Sequence, residues 1–370
     1  MIIGTTAVEF KVPIKHLFQK NRNFFGRAEI LKEIKEIFGT TSSNPSLRST
    51  NREIITLHGI GGAGKSQICV EYAHACGGAY STIFWITATT ADDVRRTALG
   101  AVDQIISHYV INLPNHGLAG SSNFQRAALA LGLDESSIED LEDLRATVER
   151  QSAIEVLKYW LSKEFNDRWL LIIDDYSIPR DSDYNLDGIL PTNDVGHVIV
   201  TTQEPGLTDH NRIRLPESIG EEEGVLLLKA LGCRHRQKQD CLLILSFTSR
   251  HSELLTRPGS CDKDAREIVS ILGGFPLALR LAGAYAFRYS FEQCAQELRD
   301  SRGSQFIFKN RDDLKRNSLG NIWGRSFSGL DRNAQKILHL LSFMGNNIPL
   351  ALVKRAEDGI MRYCEAGRFI

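Results

Sequence analysis

Three observations predict an α/β fold, a parallel sheet flanked by helices, with a mainly helical region after it. Four short apolar runs, at 54–57, 83–86, 169–173 and 197–200, alternate with segments that carry apolar residues at helical spacing. The longest of them, Trp169-Leu170-Leu171-Ile172-Ile173, has no polar face, as expected of a strand whose sheet is covered on both sides. From about residue 206 the apolar runs cease and helical patterns continue to the end.

Taken in order, residues 8–13 form a short extended-looking stretch within an N-terminal extension, 1–20. Ala28, Ile30, Leu31, Ile34, Ile37 and Phe38 then lie at helical spacing, and the Ser-, Thr- and Asn-rich residues 39–51 read as a loop. Ile54-Ile55-Thr56-Leu57, ending in glycines, is the first strand, and a helix follows from Lys65 to His74. Ile83-Phe84-Trp85-Ile86 is the second strand, with a helix over 92–107 and a surface insertion at 114–122. Ile154, Leu157, Trp160 and Leu161 mark a helix leading into the third strand, and His197-Val198-Ile199-Val200 is the fourth. A charge-dense stretch at 309–316 sets a second boundary. The expected organisation is an α/β domain over 21–205, a helical domain over 206–310 and a third part over 311–370.

The length fits this division: 370 residues correspond to about two and a half average domains. Lys plus Arg number 44 and Asp plus Glu 45, a net charge of −1. That balance disfavours a dedicated nucleic-acid or anionic-membrane binder, so neither is an expected partner. No apolar run is long enough to span a bilayer, and the N-terminus lacks the basic-then-apolar pattern of a leader. Seven scattered cysteines without a CxxC pair read as reduced thiols of a cytoplasmic protein. The ten histidines show no metal-ligand spacing, and the four tryptophans read as core.

The chemistry concentrates in three places. Gly59-Ile60-Gly61-Gly62-Ala63-Gly64-Lys65-Ser66 matches GxxxxGK[ST] in full, with a strand before it and a helix after it. Its glycines let backbone N–H groups turn toward a phosphate, Lys65 reaches the β- and γ-phosphates, and the Ser66 hydroxyl can hold Mg²⁺. Leu170 to Ile173 end in Asp174-Asp175, and a carboxylate at such a strand end holds Mg²⁺ in P-loop enzymes. Asp174 is the metal candidate and Asp175 the catalytic candidate that polarises a water, although paired aspartates also cap ordinary turns. Thr201-Thr202 close the fourth strand with two hydroxyls suited to sensing a phosphate, although Thr is also an ordinary strand residue.

This order of motifs resembles the NB-ARC family of STAND signalling ATPases, the P-loop NTPase class with fungal NLR-like members, over residues 20 to 350. Asn23-Phe24-Phe25-Gly26-Arg27 is similar to the family's opening motif, which implies adenosine contacts by Phe25 and Arg27. Gly64-Lys65-Ser66-Gln67 with Glu71-Tyr72-Ala73, and Phe84-Trp85-Ile86-Thr87-Ala88, resemble the fungal versions of two further motifs, with Gln67 counted in the phosphate loop. Gly273-Gly274-Phe275-Pro276-Leu277-Ala278-Leu279 resembles the GLPLA motif, which implies that Pro276 lies against the adenine. The segment from Leu215 resembles the start of the helical ARC domain, and Trp323, Ser326-Phe327 and Leu330 resemble a partial winged-helix domain. Two departures stand out: Gln203 replaces the arginine that often follows the threonine pair, and the Met-His-Asp motif is missing.

The resemblance implies a switch that binds ADP or ATP with Mg²⁺, is closed with ADP, and assembles into homo-oligomers through its NTPase modules. It implies signalling of an innate-immunity or cell-death kind, with protein partners the sequence does not name. Asp175 is shorter than the glutamate of fast ATPases, so hydrolysis is expected to be slow at most. The alternatives are a catalytic ATPase of related fold, or a degenerate fragment acting as a winged-helix transcription regulator.

Overall fold

The computed structural model describes residues 18–40, 52–112, 123–163, 166–179, 182–207, 211–232 and 260–303. The chain divides into two compact units, Met1–Ile219 and Gly220–Ile370.

The first unit is built on five parallel strands: β1 (Glu53–His58), β2 (Thr82–Thr87), β3 (Trp169–Tyr176), β4 (His197–Thr202) and β5 (Asn211–Arg214). Their order across the sheet is β2-β3-β4-β1-β5. Register is set by apolar side chains alternating between the faces of a sheet buried on both sides. Ile55, Leu57, Leu170, Ile172 and Ile199 belong to one core with α1 (Ala28–Ile37) and α2 (Lys65–Cys76). Their chain neighbours Ile54, Leu171, Ile173, Val198 and Val200 belong to the other, with α3 (Ala91–Ser107), α4 (Asn123–Leu131), α5 (Leu141–Gln151) and α6 (Ala153–Leu161). A one-turn helix, α7 (Leu186–Ile189), precedes β4 and adds Ile189 to that core. Capping fixes the helix starts: the Thr90 side chain accepts the Asp93 N–H, and Asp140 accepts those of Glu142 and Asp143.

The four strands expected from apolar runs are all present. The fifth is a correction, because the strands do not stop before 206. β5 pairs with β1 beyond that boundary, so the sheet runs to Arg214. It escapes notice because, as a four-residue edge strand, it buries Ile213 alone and shows Asn211, Arg212 and Arg214 to solvent. Helices α4 and α5 are also additional to the expected elements. The extended stretch at 8–13, most of the loop at 39–51, the insertion at 114–122 and the whole of 311–370 lie outside the described residues.

In the second unit, α8 (Glu221–Gly232), α9 (Ser260–Leu272), α10 (Pro276–Arg288) and α11 (Phe291–Gly303) are its elements among the described residues. Glycines set their spacing: a Cβ at Gly224 would touch Val269 and Leu279. Gly273 and Gly274, at φ 63° and 68°, turn the chain between α9 and α10, and Pro276 begins α10, where its missing N–H costs nothing. Leu228, Ile268, Leu279, Ala282 and Leu298 are buried among these helices.

Among the described residues, no helix is long and apolar enough to cross a membrane, and no group of three His, Cys, Asp or Glu could hold a metal. Cys69, Cys76 and Cys294 are buried free thiols. Trp160 and Trp169 are core residues, as expected.

Candidate nucleotide site

The carboxyl ends of β1, β3 and β4 meet because β4 lies between the other two. Ligands of open parallel sheets bind at such an edge. After His58 the chain turns through Gly59 to Gly64, with Gly59 N–H bonded to the Thr202 carbonyl at 3.3 Å. Gly62 and Gly64 have φ of 81° and 99°, which a side chain would strain, and Gly64 leads directly into α2. A Cβ on Gly59 would come within 3.3 Å of Leu215, so the loop is held closely from the β5 side.

Lys65, the first residue of α2, is 7% exposed. Its Nζ donates to the carbonyls of Gly59 at 2.7 Å and Ile60 at 3.1 Å, so the ammonium spans the mouth of its own loop. Burial lowers its pKa, while the carboxylates of Asp175 and Asp174 oppose that shift. The Ser66 hydroxyl donates to Asp174 Oδ1 at 2.7 Å, across 108 residues of sequence. Thr201 Oγ1 donates to the same oxygen at 2.6 Å. Burial pushes the Asp174 carboxyl above the usual carboxylate range, and these two hydrogen bonds hold it back.

Asp175 has different company. Ile173 pairs with Val200 and Tyr176 with Thr202, so Asp174 and Asp175 together face Thr201 alone, a β-bulge. Asp175 takes up the extra length at φ 54°, and its N–H donates to Thr201 Oγ1 at 2.8 Å. Its carboxylate accepts from Thr89 Oγ1, just past β2, at 3.4 Å. The Thr202 hydroxyl donates to the Tyr176 carbonyl at 2.9 Å and accepts the Glu204 N–H at 3.1 Å. Gln203 is exposed beside the loop, where a Cβ on Gly61 would lie 3.5 Å from its Oε1.

The segment before α1 lies along α2. Lys20 pairs with Glu71 at 3.2 Å, and Asn21 Nδ2 donates to Gln67 Oε1 at 2.9 Å. Arg27 Nη2 donates to the carbonyls of Ala63 at 3.2 Å and Pro216 at 2.7 Å. Phe25 is half-buried. The first unit thus links Arg27, the loop from Gly59 to Gly64, Lys65, Ser66, Asp174, Asp175 and Thr201 through hydrogen bonds. Gln67 lies in the first turn of α2 and Thr202 beside Gly59, while Phe25 lies in the same segment as Arg27 with no contact to the loop among those described. Pro276 lies in the second unit, at the start of α10. Sequence reasoning missed Thr89 and Asn21. A cluster of hydroxyls at the end of the second strand, Thr87, Thr89 and Thr90, is the available signal for the first.

The site fits a magnesium nucleotide. A hydroxyl and a half-buried carboxylate already share a hydrogen bond, an all-oxygen pair of the kind a hard cation takes, beside a glycine loop and a lysine. A glycine loop joining β1 to a helix, with an acidic strand one strand away, is the arrangement of a P-loop NTPase.

No protein-family model matches the chain. A nucleotide-binding leucine-rich repeat (NLR)-like protein of Hyaloscypha variabilis is 24% identical over 296 residues, 75% of this chain and 23% of that protein. This chain therefore spans about a quarter of that relative's length. The NLR-like name of this relative agrees with the resemblance read from the motifs. Among solved structures, a Signal Transduction ATPase with Numerous Domains (STAND) protein with a tetratricopeptide repeat sensor from Pyrococcus horikoshii aligns with a TM-score of 0.46 and 15% identity, over 95% of this chain and 38% of that one. A Drosophila ORC structure bound to DNA aligns at 0.40 and 14% identity, over 90% and 95% of the two chains.

Proposed function

We propose that the chain is a nucleotide-dependent switch of the NB-ARC type, taking ADP or ATP with Mg²⁺ and hydrolysing ATP slowly or not at all. One observation carries this reading: Lys65, Ser66 and Asp174 converge on the mouth of a glycine loop, with their polar groups hydrogen-bonded to that loop or to each other. The Lys65 ammonium rests on carbonyl oxygens, and phosphate oxygens are the stronger acceptors it would take instead. Backbone N–H groups of Gly62 to Lys65 and the start of α2 add further positive potential. Ser66 and Asp174 are the residues that would hold Mg²⁺, which when bound neutralises charge between the phosphates.

Slow turnover follows from Asp175. Its short side chain shares a hydrogen bond with Thr89, and its backbone is turned out of the β3 ladder. Phe25, Arg27 and Pro276 are the proposed adenosine contacts, on the family resemblance. The same resemblance supports an ARC assignment for the helices after Gly220 and a partial winged helix over 311–370. Assembly through the NTPase modules, a cytoplasmic setting and a signalling role within a longer protein belong to this reading as well. A nucleotide shifts such a switch only by contacting its two states differently.

The test is to denature the purified chain and identify what it releases by anion-exchange chromatography. ADP released at close to one equivalent is the expected result. A chain that releases no nucleotide and binds no added ADP overturns the proposal.

A further inference from the structure

We propose that Thr201 is a positioning residue for the two aspartates and makes no contact of its own with the nucleotide. The inference rests on the nucleotide reading above and refines it, since a threonine at this strand end is expected from sequence to sense a phosphate.

A threonine hydroxyl has one proton to donate and two lone pairs to accept with. Phosphate oxygens accept hydrogen bonds, so a residue that reads them must have a proton free. The Thr201 proton is given to Asp174 Oδ1 at 2.6 Å, and a lone pair takes the Asp175 N–H at 2.8 Å. The side chain is fully buried in the middle of the sheet. Thr202 is committed in the same way, its proton on the Tyr176 carbonyl and a lone pair on the Glu204 N–H.

The bulge explains why one hydroxyl serves both aspartates. Two residues of β3 stand opposite Thr201, so the Asp175 N–H has no carbonyl across the ladder, and the hydroxyl takes its place. The Asp175 backbone at φ 54° is held there by this bond, and the preceding carboxylate is held toward the loop by the other. From the β2 side, the Ala88 N–H donates to the Asp174 carbonyl at 2.9 Å, so the bulge is clamped from both neighbouring strands. Of the two hydroxyls on Asp174 Oδ1, Ser66 belongs to the phosphate loop and is itself a metal candidate. Thr201 is the partner whose other bonds keep it in place.

Positioning and direct contact give different metal dependence. ADP affinity of the full chain is measured by calorimetry in Mg²⁺ and in EDTA, for wild type, Thr201→Val and Thr201→Ser, with thermal melts to establish folding. Losing a hydrogen bond to a charged group corresponds to roughly a tenfold to hundredfold change in affinity. Thr201→Val is expected to weaken ADP by about that factor in Mg²⁺ and to leave the EDTA value unchanged, while Thr201→Ser stays close to wild type in both. Equal weakening in Mg²⁺ and EDTA overturns the inference in favour of a phosphate contact, and no change in either overturns it outright. Where Thr201→Val fails to fold, Thr201→Ala is read by the same criteria. Wild type that binds ADP under neither condition overturns the nucleotide site itself, and this inference with it.

Discussion

Replacing Asp174 with asparagine separates the cost of the carboxylate to the fold from its contribution to the site. Oδ1 accepts hydroxyls from Ser66 and Thr201, and an asparagine Oδ1 can accept both, so the exchange removes a charge and little shape. Burial, with the nearby Asp175 charge, raises the folded carboxyl's pKa above its unfolded value despite the two hydroxyls and Lys65. A raised carboxyl pKa means the folded state holds the proton more tightly than the unfolded one. Its stabilising effect is therefore complete in acid and lost as pH rises through the folded pKa. At neutral pH the charge is a net penalty, and removing it is expected to add on the order of 1 kcal/mol. For a unit of this size that is a rise of roughly 2–4 °C in Tm. The assay is a set of thermal melts in EDTA from neutral pH down to about pH 4, where carboxyls protonate. The asparagine variant should melt higher at neutral pH, and the gap should close on acidification, while the enhancement of ADP binding by Mg²⁺ disappears. A variant that melts lower than wild type at neutral pH refutes the reasoning.

Two further substitutions probe the frame of the site. Arg27 holds the carbonyls of Ala63 and Pro216 from a left-handed backbone at φ 66°, so Arg27→Ala should cost about 1–2 kcal/mol in chemical denaturation. Arg27→Gly loses the same bonds but relieves the backbone, so it should cost about 1 kcal/mol less, and the opposite ranking would count against the clamp. Gly196, at φ 81° before β4, faces the Trp169 ring, and a Cβ there would lie 2.6 Å from Cζ2. Trp169 cannot move aside easily, being fully buried with its indole N–H on the Leu161 carbonyl at 3.0 Å. Gly196→Ala should lower stability by about 3 kcal/mol or more, and a loss below about 1 kcal/mol would contradict the packing described.

What could be read in the sequence was what local chemistry dictates. The glycine loop is legible because its conformation demands glycine at fixed spacing, and the four inner strands because a doubly covered sheet needs apolar side chains on both faces. β5 was not legible, since an edge strand with three exposed polar residues carries no apolar run. Helix α5 hid for a related reason: Leu144 and Val148 are its buried residues, and apart from Leu141 and Ala146 the rest of it is polar or charged. The site residues were legible singly and not as a network. That Ser66 and Thr201 share one oxygen of Asp174 depends on a bulge, and nothing in the letters Asp174-Asp175 announces where a ladder slips. Asn21 and Thr89 act through partners 46 and 86 residues away, beyond the reach of spacing arguments.

The central claim is that the loop from Gly59 to Ser66 binds adenine nucleotide through Lys65. Its most direct test is calorimetric titration of ADP with Mg²⁺ into nucleotide-stripped wild type and Lys65→Ala. One site per chain in wild type, weakened at least about a hundredfold in a variant that remains folded, is the predicted result. Equal affinity in the two proteins, or no binding to either, would contradict the account.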